Sequence, residues 1–175
     1  MSYSIDHNGF LDLSQCYMGC GCDLLLACAI SKDYFFSEMQ ELITWDGKRI
    51  TNMQREDTWW HLVSKHEPER EKKNPLSHLD IKNPLTHLDI ERVKRLPLLK
   101  EVLLGNVAAD VYKQINKRGG TDILQLTVDI DNQNYVVCLG LTKKDSYVIR
   151  SAYPSGNTYV SKVKKRSSLI DKIRP

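Results

Sequence analysis

Residues 122–155 most constrain the fold, because they predict three consecutive β-strands joined by short turns. In residues 123–130 apolar and polar side chains alternate, which is typical of a strand with one buried face. Residues 135–141 (YVVCLGL) are almost continuously apolar, as in a central strand, and a third strand starts at Tyr147. The connections are too short for a parallel crossover, so the pattern predicts an antiparallel meander.

Helical patterns occupy the chain ahead of this meander. Residues 11–43 predict one long helix or two shorter ones, and residues 59–65 predict another. The length of 175 residues suits one domain, or one domain with an appendage. We therefore expect a helical appendage in residues 1–30 and the main domain in residues 31–175.

The region just before the sheet also predicts helix. Residues 91–105 form an amphipathic pattern that is kinked or stopped at Pro97, and residues 106–117 predict its continuation to Gly119 and Gly120. The predicted fold class is therefore α+β, with N-terminal helices packed on a small antiparallel β-sheet.

Four of the five cysteines lie close together, between Cys16 and Cys28. Their spacing is not a familiar zinc pattern, and no Cys or His pair follows at finger spacing. Cys16 and Cys20 are four residues apart and would share one side of a helix, so a metal cluster stays open as the alternative. Because free cysteines commonly serve as small core hydrophobes, we expect reduced thiols, no metal and no other cofactor.

Positive charge collects at the C-terminal end. Residues 142–175 carry nine Lys and Arg against two Asp, a balance of +7, whereas the whole chain is +3. Such a basic end suits a polyanion such as nucleic acid, although a solvated tail explains it equally well. No membrane partner is expected, because the most apolar stretch, residues 24–30, is too short to span a bilayer. Residues 1–12 also lack the pattern of a secretory leader.

His61 and His66 frame the segment that follows two adjacent tryptophans. Histidine suits general acid or base catalysis because its pKa lies near neutral pH. The competing interpretation is structural: His61 is a half-buried, hydrogen-bonded residue, and His66 ends a helix. A shared metal is not indicated, because residues five apart diverge on a helix.

A nine-residue repeat comes next. Residues 73–81 are KNPLSHLDI and residues 82–90 are KNPLTHLDI. A proline every nine residues forbids one continuous helix, and the unit is too short for a solenoid. We interpret the repeat as a local duplication that lengthens an exposed loop, in which one copy is dispensable. His78 and His87 are therefore poor catalytic candidates.

Three short motifs stand out along residues 30–165: Trp-His-Leu at 60–62, ERVKRLPLLK at 91–100 and Ser-Ala-Tyr-Pro at 151–154. With the order of helices and sheet, they resemble the phage-associated branch of the barnase/EndoU/colicin/RelE-like ribonuclease superfamily. The resemblance implies a small helix-plus-sheet fold and metal-independent RNA cleavage, typically by toxins or effectors. The repeat departs from the family pattern, which leaves open a binding protein on a nuclease-like fold.

The resemblance also implies roles for individual residues. In such chemistry the 2′-OH of the RNA is the nucleophile, a histidine moves the proton, and an arginine neutralises the phosphate. The resemblance matches His61, Ser151 and Tyr153 to positions of the family, and the chemistry adds His66 as a base and Arg150 as a cation. The candidate catalytic residues are therefore His61, His66, Arg150, Ser151 and Tyr153. Basic side chains would follow the RNA backbone, and the candidates are Arg92, Arg95, Lys162, Lys164, Lys165 and Arg166.

The expected partners are an RNA, with tRNA as one candidate, and a cognate immunity or host protein. The site of action would be cytoplasmic, with delivery into a target or host cell as a further option. Two other classes of function stay open. One is a non-catalytic effector or inhibitor that uses Trp59, Trp60 and the repeat as an interface. The other is a transferase, for which we find no phosphate-cradling glycine-rich loop.

Overall fold

Helices come first in the chain and the sheet second, with one further helix inserted before the last strand. The computed structural model describes residues 3–17, 19, 21–65, 87–115, 120–130 and 133–175. After a 3₁₀ turn at Ser14–Cys16, the described residues form α1 (Leu24–Glu38), α2 (Glu56–Val63), α3 (Ile90–Lys94), α4 (Leu96–Leu104), β1 (Ala109–Gln114), β2 (Ile123–Ile130), β3 (Gln133–Leu141), β4 (Tyr147–Ser155), α5 (Asn157–Arg166) and β5 (Ser168–Ile173). The expected α+β class is confirmed.

The strands of the described residues form one sheet in the order β4-β3-β2-β1-β5, and each neighbouring pair is antiparallel. Strands β2, β3 and β4 are the meander predicted from residues 122–155. Its register places Val111, Leu126, Val137 and Ala152 side by side across four strands. These side chains are buried, so one face of the sheet is apolar.

Helices α1 to α4 pack on this apolar face. Buried side chains such as Phe35, Leu62 and Leu99 join Leu126 and Leu139 of the sheet in a single cluster. Removal of this apolar surface from water is the main force that holds the helices to the sheet.

The N-terminal residues belong to the same cluster. Helix α1 runs across residue 30, where the sequence suggested a boundary, and Leu11 and Cys16 are buried with the sheet residues. Glu38 accepts hydrogen bonds from Tyr3 and from Lys100, whose Nζ lies 2.6 Å from Glu38 Oε2. These bonds tie the N-terminal arm to α1 and α4.

Helix α5 covers part of the opposite face of the sheet. Val160 packs against Val136 and Cys138 of β3 and against Tyr153 of β4. The basic residues expected to contact RNA lie on the exposed side of α5, and they are Lys162, Lys164, Lys165 and Arg166.

The helix predicted over residues 106–117 is wrong. Gly105, with a φ of 84°, ends α4, and Ala109–Gln114 form β1. The predicted break near Pro97 is real, because α3 ends at Lys94 and α4 starts at Leu96. His66 and most of the repeat lie outside the described residues. No helix among the described ranges combines the length and the apolar character needed to cross a membrane.

Candidate functional site

Strand β4 lies at one edge of the sheet, and its outer backbone groups need partners there. The side-chain amide of Asn52 supplies these hydrogen-bond partners for Ile149 of β4. Its Nδ2 donates to the carbonyl of Ile149 at 2.8 Å, and its Oδ1 accepts from the Ile149 N–H at 2.9 Å. The loop before α2 is thereby fixed against β4, which brings α2 to the edge of the sheet.

A β-bulge in β4 sets the position of Arg150. Cys138 pairs with Ser151 and Leu139 with Ile149, so Arg150 is the extra residue between them. A bulge bends the strand and changes the direction of its side chains. The guanidinium lies over Gly140, where a Cβ atom would come within 2.7 Å of Arg150 Nε. The missing side chain of Gly140 thus leaves the space that Arg150 occupies.

His61 and Arg150 line the same surface pocket, of about 400 Å³, which we name the edge pocket. Its lining residues come from α2, the loop before it and β4, and they are Asn52, Arg55, Asp57, Thr58, His61, Ile149 and Arg150. His61 is exposed, and Thr58 lies three residues earlier on the same side of α2. The pocket therefore combines an imidazole with two cations.

The two cations of the edge pocket differ in their partners. Arg55 Nε donates to Asp57 Oδ1 at 2.9 Å, and this hydrogen bond lowers the pKa of Asp57. Arg150 has no carboxylate partner within the described residues. Its charge is therefore available to an anion that enters the pocket.

A second pocket, of about 610 Å³, lies farther along β4, and we name it the junction pocket. On the helical side it is lined by charged residues, namely Lys65, Asp89, Glu91, Arg92 and Arg95. On the strand side it is lined by the ends of β3 and β4 and the start of α5, with Gln133, Tyr153 and Ser155 among them. The side chains of Arg92 and Arg95 are only 12% and 11% exposed.

Hydrogen bonds and ring contacts hold both arginines in place. Arg92 Nη1 donates to the carbonyl of Ser64 at 2.7 Å, and its guanidinium lies 5.5 Å from the centroid of the Tyr153 ring. Arg95 Nη2 donates to Gln133 Oε1 at 3.1 Å, and a further hydrogen bond from Arg95 lowers the pKa of Glu91. Burial, together with a hydrogen bond to Tyr159, raises the pKa of Tyr153, so its hydroxyl stays protonated at neutral pH.

The residues predicted from the sequence are thus divided between two pockets. His61 and Arg150 share the edge pocket, whereas Tyr153 shares the junction pocket with Arg92 and Arg95. Ser151 lies between the two on β4, opposite Cys138, and lines neither. The basic residues of α5 also line neither pocket, and His66 lies outside the described residues.

Sequence reasoning missed Arg55 and Asn52 in the edge pocket and Lys65 in the junction pocket. Thr58 and His61 are three residues apart and therefore lie on one side of α2, and this spacing could have drawn attention to Arg55 just before the helix. The role of Asn52 depends on its pairing with β4, which no local pattern predicts.

The described thiols do not form a site with other ligand residues. No group of three or more His, Cys, Asp or Glu within the described residues could hold a metal ion. Cys16 is buried, and burial raises the pKa of its thiol and of the Cys28 thiol. Cys20 lies outside the described residues.

No family model, curated protein or solved structure matches this chain.

Proposed function

We propose that this protein is a metal-independent endoribonuclease whose chemistry takes place in the edge pocket. The observation that carries the proposal is the shared pocket of His61 and Arg150, which come from distant parts of the chain. An exposed imidazole shares this pocket with a cation that has no carboxylate partner among the described residues, and together they supply the base and the charge stabilisation that RNA cleavage by the 2′-OH needs.

The proposed reaction is an internal displacement at phosphorus. His61 accepts the proton of the 2′-OH, the 2′-oxygen bonds to the adjacent phosphorus, and the bond from phosphorus to the 5′-oxygen breaks. Arg150 neutralises the charge that develops on the phosphoryl oxygens. The leaving 5′-oxygen takes up a proton, for which His66 is the candidate donor from the sequence. The products are a 2′,3′-cyclic phosphate and a 5′-hydroxyl.

The sequence resemblance to phage-associated ribonucleases supports the same proposal. By that resemblance the protein would act as a toxin or effector on an RNA, with tRNA as one candidate, and would have an immunity or host protein as a partner. The exposed cations of α5 would add sequence-independent attraction to the RNA backbone.

A second candidate function is a non-catalytic binding protein on the same fold. It is favoured by one observation: Ser151 and Tyr153 do not line the pocket of His61. Such a protein would bind an RNA or a protein without changing it.

Incubation of purified protein with mixed RNA in excess EDTA separates the two functions. We expect cleavage by the wild type and a loss of at least 100-fold in His61→Ala and in Arg150→Ala, because each removes a group that acts on the reacting atoms. His7→Ala is the matched control, since His7 is exposed and lines neither pocket. RNA that stays intact with the wild type would instead support the binding protein.

A further inference from the structure

The junction pocket is not used by the proposed chemistry, yet it lies on the same edge strand as the edge pocket. Arg150 lines the edge pocket and Pro154 lines the junction pocket. Four residues of an extended strand span about 13 Å. On the helical side, His61 lines the edge pocket, and Lys65, four residues later, lines the junction pocket.

The junction pocket suits an anionic ligand of nucleotide size. Its volume of about 610 Å³ falls within the range typical of small-molecule sites. Lys65, Arg92 and Arg95 outnumber Asp89 and Glu91, so the lining carries one net positive charge. Arg92, whose guanidinium lies 5.5 Å from the centroid of the Tyr153 ring, adds a planar group whose other face can stack on a base.

The side chains of Arg92 and Arg95 are preorganised, because hydrogen bonds fix them without a ligand. The backbone carbonyl of Ser64 fixes Arg92, and Gln133 fixes Arg95. Glu91 also pairs with Arg95, but its side chain is 57% exposed. An exposed carboxylate can turn into solvent at little cost, which leaves the guanidinium of Arg95 to an incoming phosphate.

We infer that the junction pocket is a second nucleotide subsite, which binds a further phosphate and base of a single-stranded RNA whose scissile linkage lies in the edge pocket. This inference rests on the proposed function and names its substrate class. The RNA is single-stranded, because a base can stack on the pocket wall only when it is not paired in a helix.

The test measures binding, so that it does not depend on cleavage. Labelled single-stranded oligodeoxynucleotides of increasing length lack the 2′-OH and cannot react by the proposed route. We expect the affinity of the wild type to rise with length until both pockets are filled and then to change little. Arg95→Ala should remove this rise, with a loss of about tenfold for the oligonucleotides that are long enough to reach both pockets.

Two further variants keep the test decisive if Arg95→Ala is poorly folded. Glu91→Gln removes the carboxylate that competes for Arg95, so it should raise the affinity for the longer oligonucleotides. Lys144→Ala removes one positive charge from an exposed turn outside both pockets and should leave the length dependence unchanged.

Equal losses in Arg95→Ala and Lys144→Ala at every length, or no gain in Glu91→Gln, would overturn the subsite. Wild type that binds in this way but leaves RNA intact would contradict the proposed nuclease while the subsite stands.

Discussion

The guanidinium of Arg150 lies where a side chain at position 140 would be. A Cβ atom on Gly140 would meet Arg150 Nε at 2.7 Å and Val148 Cγ2 at 3.0 Å. Contacts below about 3 Å between such atoms are strongly repulsive. Gly140 therefore fixes the position of a side chain that belongs to the neighbouring strand.

Gly140→Ala should for this reason lower RNA cleavage at least tenfold, because Arg150 has to move. The free energy of unfolding should fall by no more than about 1–2 kcal/mol, because Arg150 is a flexible side chain, Val148 has to give by only a few tenths of an ångström, and alanine costs less backbone entropy than glycine. Cleavage rates and urea denaturation measure the two effects. Gly21→Ala is the matched control, because a Cβ there meets nothing within 4 Å. Full activity in Gly140→Ala would show that Arg150 does not need this position.

At the level of single residues, short patterns in the sequence singled out two side chains that the structure brings into one pocket. His61 was named from the Trp-His-Leu motif and Arg150 from the polar end of the third predicted strand, and the two line one pocket. The separation of Tyr153 from them was not foreseeable. It depends on the bulge at Arg150 and on the position of α3 beside the end of β4, and both are set by pairing and packing.

At the level of elements, the meander of β2 to β4 was predictable because its alternation and short turns are local. β1 was not, because Val107, Val111 and Ile115 are four residues apart and fit a helix as well as a strand. Pairing with β2 and β5 decides in favour of the strand. β5 gave little signal, because among its residues only Ile173 is buried.

Glu38 links the N-terminal arm, α1 and α4, and it should make the association of these three parts depend on pH. The hydrogen bonds from Lys100 and Tyr3 lower its pKa below the ordinary value of 4.5. A lowered pKa in the folded state means that Glu38 stabilises the fold above its ordinary pKa, and that this contribution is lost as the pH falls through the lowered value. Glu38→Gln should therefore be less stable than the wild type at neutral pH, and the difference should shrink below about pH 4.

Urea denaturation at a series of pH values measures this difference. Glu41→Gln, at an exposed position just after α1, is the control and should follow the wild type throughout. A constant difference between the wild type and Glu38→Gln from pH 7 to pH 3 would show that the carboxylate charge is not the cause.

At the level of the whole molecule, the end of the second repeat copy is part of the folded core. Leu88 is buried, the side chain of Asp89 accepts hydrogen bonds from the backbone of Glu91 and Arg92, and Ile90 begins α3. The first copy ends in the same three residue types, Leu-Asp-Ile at positions 79–81. Either copy can therefore supply the buried leucine and the helix cap.

Deletion of residues 82–90 should leave a folded protein, because Leu-Asp-Ile then again precedes Glu91. Shortening a loop changes its closure cost by only about 0.6 kcal/mol per doubling of length. Thermal unfolding should show a single transition within a few degrees of the wild type. Deletion of both copies, residues 73–90, is the contrasting variant and should lower the transition clearly, since it removes the cap and the leucine. An equally large loss from the single deletion would show that the copies are not equivalent.

The chemical ends of cleaved RNA test the central claim most directly. If the 2′-OH is the nucleophile and His61 moves its proton, mass spectrometry of an RNA treated in EDTA should find 2′,3′-cyclic phosphate and 5′-hydroxyl ends. A substrate with a single 2′-deoxy nucleotide at the cleaved linkage should stay intact there, and so should any RNA treated with His61→Ala. Products with 3′-hydroxyl and 5′-phosphate ends, or no cleavage by the wild type, would contradict the proposed function.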